Sequence, residues 1–172
     1  EVAAKKPDNC FVTINIDPLH VLTPKVTSLL DSHASFRGIV FEMTEQHAFE
    51  DIKAVRKALD GLRARGALIA IDDAGAGYSG LKQILELQPQ LLKVDRDLVT
   101  NIHENEAKRA LVGMLGALAG RLDAWVLAEG IELAEEATAL AQLGIPLVQG
   151  YFFGRPAPPW SRTGASRGPM RT

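Results

Sequence analysis

The chain has 172 residues, with 19 Lys and Arg against 21 Asp and Glu and a formal net charge of −2. That is enough material for one globular domain with a real core, and it leaves no basic excess to grip duplex nucleic acid or an anionic membrane surface. A single cysteine, Cys10, excludes an internal disulfide and a thiolate metal cluster, and no apolar run reaches the ~18 residues of a membrane span.

In chain order, CFVTINI (10–16) is short and β-branched and predicts a first strand. A helix follows Pro24. GIVFEM (38–43) predicts a second strand. FEDIKAVRKALDGLRARG then carries Ile52, Val55, Leu59 and Leu62 at helical spacing, with Gly66 as its stop. ALIAI (67–71) is a third strand, 80–87 a helix and LLKV (91–94) a fourth strand. NEAKRALVGMLGALAGRL is helical despite its glycines. WVLA (125–128) is a fifth strand, LAEEATALAQLG a helix, and PLVQGYFF a sixth strand. The polar segment WSRTGASRGPMRT reads as a disordered tail, so the domain is taken as 1–159 and the tail as 160–172. There are no internal repeats.

Strands that are apolar throughout and alternate with helices belong to a parallel sheet covered by helices. Two architectures satisfy this: an open doubly wound sheet and a (β/α) barrel. Polar residues decide between them. Asn15 ends the first strand, Glu42 the second, Asp72 and Asp73 the third, Lys93 and Asp95 the fourth, Glu129 the fifth and Gln149 the sixth. Glu45 and Glu132 each stand three residues beyond a strand-end glutamate. In parallel α/β folds the ligand face lies at the carboxyl ends of the strands. Six polar ends converge only at the mouth of a barrel.

Carboxylates and an amide, without clustered histidine, suit hard divalent cations. Two adjacent aspartates can serve two metals, and a two-metal oxygen site is suited to phosphoryl transfer. Taken singly, an acid after a strand is more often a helix cap or turn residue; Asp95 also reads as a cap or a partner for Arg96. His20, His33, His47 and His103 share no ligand spacing. The stretch Gly75-Ala76-Gly77-Tyr78-Ser79-Gly80 matches the dinucleotide pattern G-x-G-x-x-G. Two aspartates immediately before it would oppose a pyrophosphate, which argues against that reading.

The ordered motifs INIDP, FEMTE, IDDAGAGYSGL, LKVD, LAEGIE and VQGYFFGRP resemble those of the EAL-domain cyclic di-GMP phosphodiesterases, from about Phe11 to Pro156. The resemblance implies a TIM-like barrel that hydrolyses cyclic di-GMP to linear pGpG with Mg²⁺ or Mn²⁺ at a two-metal site. It implies metal ligands at Asn15, Glu42, Asp72, Asp73, Glu129 and Asp95, and catalytic roles for Lys93, Glu129 and Asp73. Glu45 would brace the loop of Gly75 and Gly77, Glu132 would support the site from behind, and Gln149 would meet substrate. A homodimer, a cytoplasmic location, sensory or GGDEF domains in the parent protein and a membrane-anchored parent are compatible with it. The family also includes inactive members that bind cyclic di-GMP as receptors.

The chain departs from the family pattern in places. The Glu-Ala-Leu motif on the family's first strand is absent, so the barrel is expected to be incomplete at its N-terminus and the chain to be a fragment of a longer protein. Asp17 stands where Ser or Thr is usual, Ala74 and Ala76 replace Phe and Thr, and Gly80 replaces Ser. Loss of a large anchor at 74 is expected to loosen the loop.

Overall fold

The computed structural model describes residues 6–7, 10–18, 20–44, 51–74 and 78–157. Its strands are β1 (Val12–Asn15), β2 (Ile39–Thr44), β3 (Leu68–Asp72), β4 (Leu91–Val94), β5 (Trp125–Ala128) and β6 (Leu147–Val148). Its helices are α1 (Pro24–Asp31), α2 (Ile52–Ala64), α3 (Tyr78–Leu87), α4 (Arg96–Val99), α5 (Glu106–Arg121) and α6 (Ala134–Gln142). A 3₁₀ turn, Ile102–Glu104, lies between α4 and α5.

All five ladders are parallel and the sheet order is β1-β2-β3-β4-β5-β6. A doubly wound sheet reverses its order at a switch point; this one never does. Right-handed crossovers between successive neighbours put every helix on the same face. The sheet therefore curls with helices outside and an inner face left to itself, which is an incomplete α/β barrel.

The period-2 alternation of strands sorts the side chains. Phe41, Met43, Ile69, Ile71, Leu92, Val94 and Val126 face outward into the main core, where they meet Val55, Leu59 and Leu62 of α2, Ile84 and Leu87 of α3, and Leu115 of α5. The alternate residues Val40, Ala70, Leu91 and Leu127, with Leu147 against them, form a second, smaller cluster inside. Two residues further along the same strands stand Glu42, Asp72, Lys93, Glu129 and Gln149. The inner face thus has an apolar floor and a polar rim at the carboxyl ends. The floor is open below: Phe11, Leu68 and Trp125 are exposed and share a 290 Å³ cleft with Val40, Leu91 and Leu147.

The sixth strand is shorter than the sequence suggests. Only Leu147 and Val148 pair with β5. At Gly150 the chain turns, with the N–H groups of Phe153 and Gly154 donating to the Gly150 carbonyl. The aromatic run Tyr151-Phe152-Phe153 mimics a strand in composition, but its backbone is engaged by the loop after β5 instead: Ile131 donates to the Gln149 carbonyl and accepts from Phe152 N–H. This contact is so close that a Cβ on Gly150 would collide with the backbone of Ile131.

Two glycines therefore have opposite expected outcomes. Gly150→Ala forces the Ile131 backbone to shift and destabilises by at least about 3 kcal/mol. Gly61, inside α2, has nothing within 4 Å of an added Cβ, so Gly61→Ala stabilises by about 0.5–1 kcal/mol. Thermal denaturation of the two variants checks both signs.

Candidate active site

The rim residues converge on one side chain. Lys93 rises from the middle of β4 with its side chain only 8% exposed. Its Nζ lies 3.0 Å from Asp72 Oδ1, 3.2 Å from Glu42 Oε2 and 3.2 Å from Glu129 Oε1. Ladder register makes this possible. Glu42 on β2 and Asp72 on β3 approach from one side and Glu129, just beyond β5, from the other. The Gln149 amide donates from Nε2 to the same Glu129 Oε1 at 3.0 Å, so that one oxygen accepts from both Lys93 and Gln149.

One ammonium serves three carboxylates, so two negative charges remain uncompensated. At about 5 Å and an effective dielectric of about 20, each carboxylate–carboxylate repulsion costs roughly 3 kcal/mol. The titration behaviour follows. Burial works against the Lys93 charge, but the hydrogen bond to Asp72 and the charges of Glu129, Asp72 and Glu42 outweigh it and raise its pKa, so Lys93 stays protonated. Burial raises the Glu129 pKa; Lys93 opposes the rise, while Asp72 and Glu42 add to it. Asp73 is raised by burial first, then by Asp72 and Asp95, against the pull of Lys93.

Asp73 sits in the left-handed region, φ 56°, with its N–H donating to Asp72 Oδ1. Ala74 follows fully buried and donates its N–H to the Lys93 carbonyl at 2.8 Å. A small residue at 74 therefore anchors the start of the loop by its backbone. Asp95 caps α4, accepting from Asp97 N–H at 2.6 Å, while acting electrostatically on Asp73. Asn15 lies in register beside Glu42 on the edge strand and is exposed. Glu132 stands apart from Lys93 and pairs with Arg96 at 2.8 Å. The alternative of an Asp95–Arg96 pair is thereby corrected: Arg96 packs over Gly130 and reaches forward to Glu132. Glu45, Gly75 and Gly77, with the tail 160–172, lie outside the described residues.

One buried acid escaped the sequence reading. Glu136 in α6 is 2% exposed and accepts three backbone N–H groups. The available signal was Leu133 at the helix N-cap, which has no side-chain acceptor, with an acid three residues on.

The donor set is all oxygen and negatively charged in excess, which fits a hard divalent cation. Among the described residues, no three Asp, Glu, His or Cys side chains form a metal cage by themselves; the carboxylates point at Lys93. Beside them a cleft of about 670 Å³ is lined by Arg96, Glu129, Gln149, Tyr151, Phe153 and Arg155. The Arg155 guanidinium lies 4.7 Å from the Tyr151 ring centroid.

The family model described as EAL domain matches residues 2–156. The chain belongs to the EAL domain family. It is 33% identical over 163 residues to the cyclic di-GMP phosphodiesterase PdeF of Escherichia coli, covering 92% of this chain and 22% of that protein. Among solved structures, the manganese and cyclic di-GMP complex of Klebsiella pneumoniae BlrP1 superposes with a TM-score of 0.78 at 37% identity, over 90% of this chain and 41% of that one. The EAL domain of Mycobacterium smegmatis DcpA superposes at 0.77 with 31% identity, over 86% and 69%. The chain spans about a fifth to a third of the curated relatives it matches. No helix among the described residues is long and apolar enough to cross a membrane.

Asp73→Asn removes a charge held against Asp72 and Asp95 in a conformation that Asn tolerates well. In the absence of metal it raises the melting temperature at about pH 7. Because the folded pKa of Asp73 lies above its ordinary 3.8, the wild type recovers stability as pH falls through the folded value. The gap between the two proteins therefore closes toward about pH 4. Melting curves across this range check the sign.

Proposed function

We propose that this EAL domain chain carries the catalytic face of a metal-dependent phosphodiesterase that hydrolyses cyclic di-GMP to linear pGpG. The observation that carries the reading is the Lys93 cluster: a protonated lysine and three carboxylates at the carboxyl ends of neighbouring strands. Relatives named as cyclic di-GMP phosphodiesterases and the manganese complex of BlrP1 support the substrate and the cation.

Glu42, Asp72 and Glu129 would hold the cations, with Asn15, Asp73 and Asp95 completing a two-metal set for Mg²⁺ or Mn²⁺. Bound divalent cations supply Lewis-acid polarisation of a phosphoryl oxygen. In the hydrolysis a water oxygen bonds to phosphorus, one P–O3′ ester bond breaks, and the departing oxygen takes up a proton. Lys93, which its neighbours keep protonated in the metal-free protein, is placed to donate rather than to act as the base. Its Nζ donates, orienting the attacking water and countering the charge that builds on the phosphoryl group. The proton leaving the water goes to a carboxylate of the rim, Asp73 or Glu129. Gln149 keeps its amide oxygen free to meet substrate while its Nε2 holds Glu129. In the neighbouring cleft, the exposed Tyr151 and Phe153 rings offer stacking faces to a purine, and Arg96 and Arg155 offer donors to phosphate or base edges.

A second reading is a receptor that binds cyclic di-GMP without cutting it. It is favoured by the carboxylates being turned onto Lys93. Homodimerisation, a cytoplasmic setting and partner GGDEF or sensory domains remain part of the proposal and rest on the family and on the share of each relative that the chain spans.

With Mn²⁺ present, Lys93→Ala and Glu129→Ala each lower turnover of cyclic di-GMP by about 10³-fold or more, and chelation abolishes it. Turnover that survives both substitutions overturns the mechanism. Calorimetry on the same protein separates the second reading, which predicts tight binding of cyclic di-GMP with no release of pGpG.

A further inference from the structure

Of the four buried polar residues among those described, Glu42 and Lys93 belong to the cluster and Gln83 lies on α3; the fourth is Glu136. Its carboxylate is held by backbone. Oε2 accepts the N–H groups of Glu132 at 3.0 Å and Leu133 at 3.1 Å, and Oε1 accepts that of Asn101 at 2.9 Å. Burial alone would favour the neutral acid, but these three donors and the nearby His103 lower its pKa, so it is an anion at neutral pH.

We infer that Glu136 is a positioning residue that pins the loop carrying Glu129 and Glu132 to the segment that follows Asp95, and through that loop sets Gln149 and the aromatic turn beside the Lys93 cluster. This rests on the phosphodiesterase reading of that cluster. The connections are continuous. Glu132 and Leu133 end the loop that begins at Glu129. Within it Ile131 donates its N–H to the Gln149 carbonyl at 3.1 Å and accepts the Phe152 N–H at 3.0 Å. Gln149 in turn bonds to Glu129. On the other side, Asn101 closes the stretch from Asp95 through α4 in a left-handed conformation, φ 56°.

Two features separate this from a simple helix cap. A cap requires only the bonds to Glu132 and Leu133; the bond to Asn101, 35 residues earlier, does nothing for α6. The same two segments are also joined by Arg96 and Glu132, but those side chains are 57% and 44% exposed, and a solvent-screened pair of that kind holds little. The buried anion, with charge-assisted bonds to three peptides, is the firm tie.

The test pairs Glu136→Ala with Leu133→Thr. A threonine at the N-cap accepts a helix N–H from its own side chain, so the double variant L133T/E136A restores the cap without restoring the tie to Asn101. Glu136→Ala is expected to lower kcat/KM for cyclic di-GMP with Mn²⁺ about tenfold or more. The double variant is expected to recover most of the melting temperature but not the activity. Amide hydrogen exchange should rise at Asn101 in both variants, and also at Ile131 and Phe152, which make no bond to Glu136 themselves. Activity restored together with melting temperature overturns the inference and leaves Glu136 a cap. If the wild-type chain shows no turnover, the phosphodiesterase reading fails separately, and exchange decides: faster exchange at Ile131 and Phe152 in the double variant supports the positioning role, and unchanged exchange there overturns it.

Discussion

The ammonium of Lys93 is the single point on which the rim of this half-barrel depends. Three strands deliver a carboxylate within 3.2 Å of it, and each arrives there because the ladders are in register and the side chains alternate. A slip of one residue in β4 would exchange Lys93 for Leu92 or Val94 on the inner face and leave the acids facing one another without a cation. The cluster is therefore both a product of the sheet and a check on it. It is also an unbalanced solution. The surrounding carboxylates keep Lys93 protonated, burial with the added charges of Asp72 and Glu42 raises Glu129 against the pull of Lys93, and Asp73 just beyond is raised by its own burial and neighbours. Charge excess of this kind costs stability in the bare protein and creates affinity for cations.

The rest of the fold isolates that cluster. Helices pack against the outward faces of β2 to β5, so most of the large apolar side chains are spent on the outer core. The inner face is left with small and medium residues below the rim, Val40, Ala70, Leu91 and Leu127. The buried side chains of this floor lie directly beneath Lys93 and lower the local polarity there, strengthening its electrostatic contacts. Above the rim, backbone bonds tie the loops after β5 and β6 to one another, with Gly150 seated directly on Ile131, and the Glu136 carboxylate joins the segment after β4 to them. The mouth is thus built on short connections with defined partners.

The sequence made the elements legible wherever an apolar run met a stop signal: β4 and β5 begin and end where composition predicts, and α2 follows its stripe of Val55, Leu59 and Leu62. Aromatic residues misled at β6, because Tyr151-Phe152-Phe153 has strand composition, yet its backbone hydrogen bonds go to a loop. The convergence of Glu42, Asp72, Lys93 and Glu129 was readable from their shared position at strand ends. The pairing among them was not, since partner choice depends on register and on which side chain is buried. Arg96 shows the same limit: Asp95 is its chain neighbour, but the left-handed turn at Gly130 brings Glu132 within reach. Glu136 was hidden because an acid in the first turn of a helix ordinarily needs no explanation beyond the helix dipole. Only the fold reveals that its third donor comes from Asn101.

On the proposed reading, the carboxylates gathered by Lys93 are a divalent-cation site whose excess charge is met by metal and whose lysine faces the phosphate. A crystal structure with manganese and cyclic di-GMP, read in an anomalous difference map, tests this most directly. Manganese peaks are expected among Glu42, Asp72 and Glu129, with Lys93 beside the phosphate and still within the cluster. Nucleotide bound with no manganese among those three residues, or manganese held elsewhere with Lys93 keeping all three carboxylates, would contradict it.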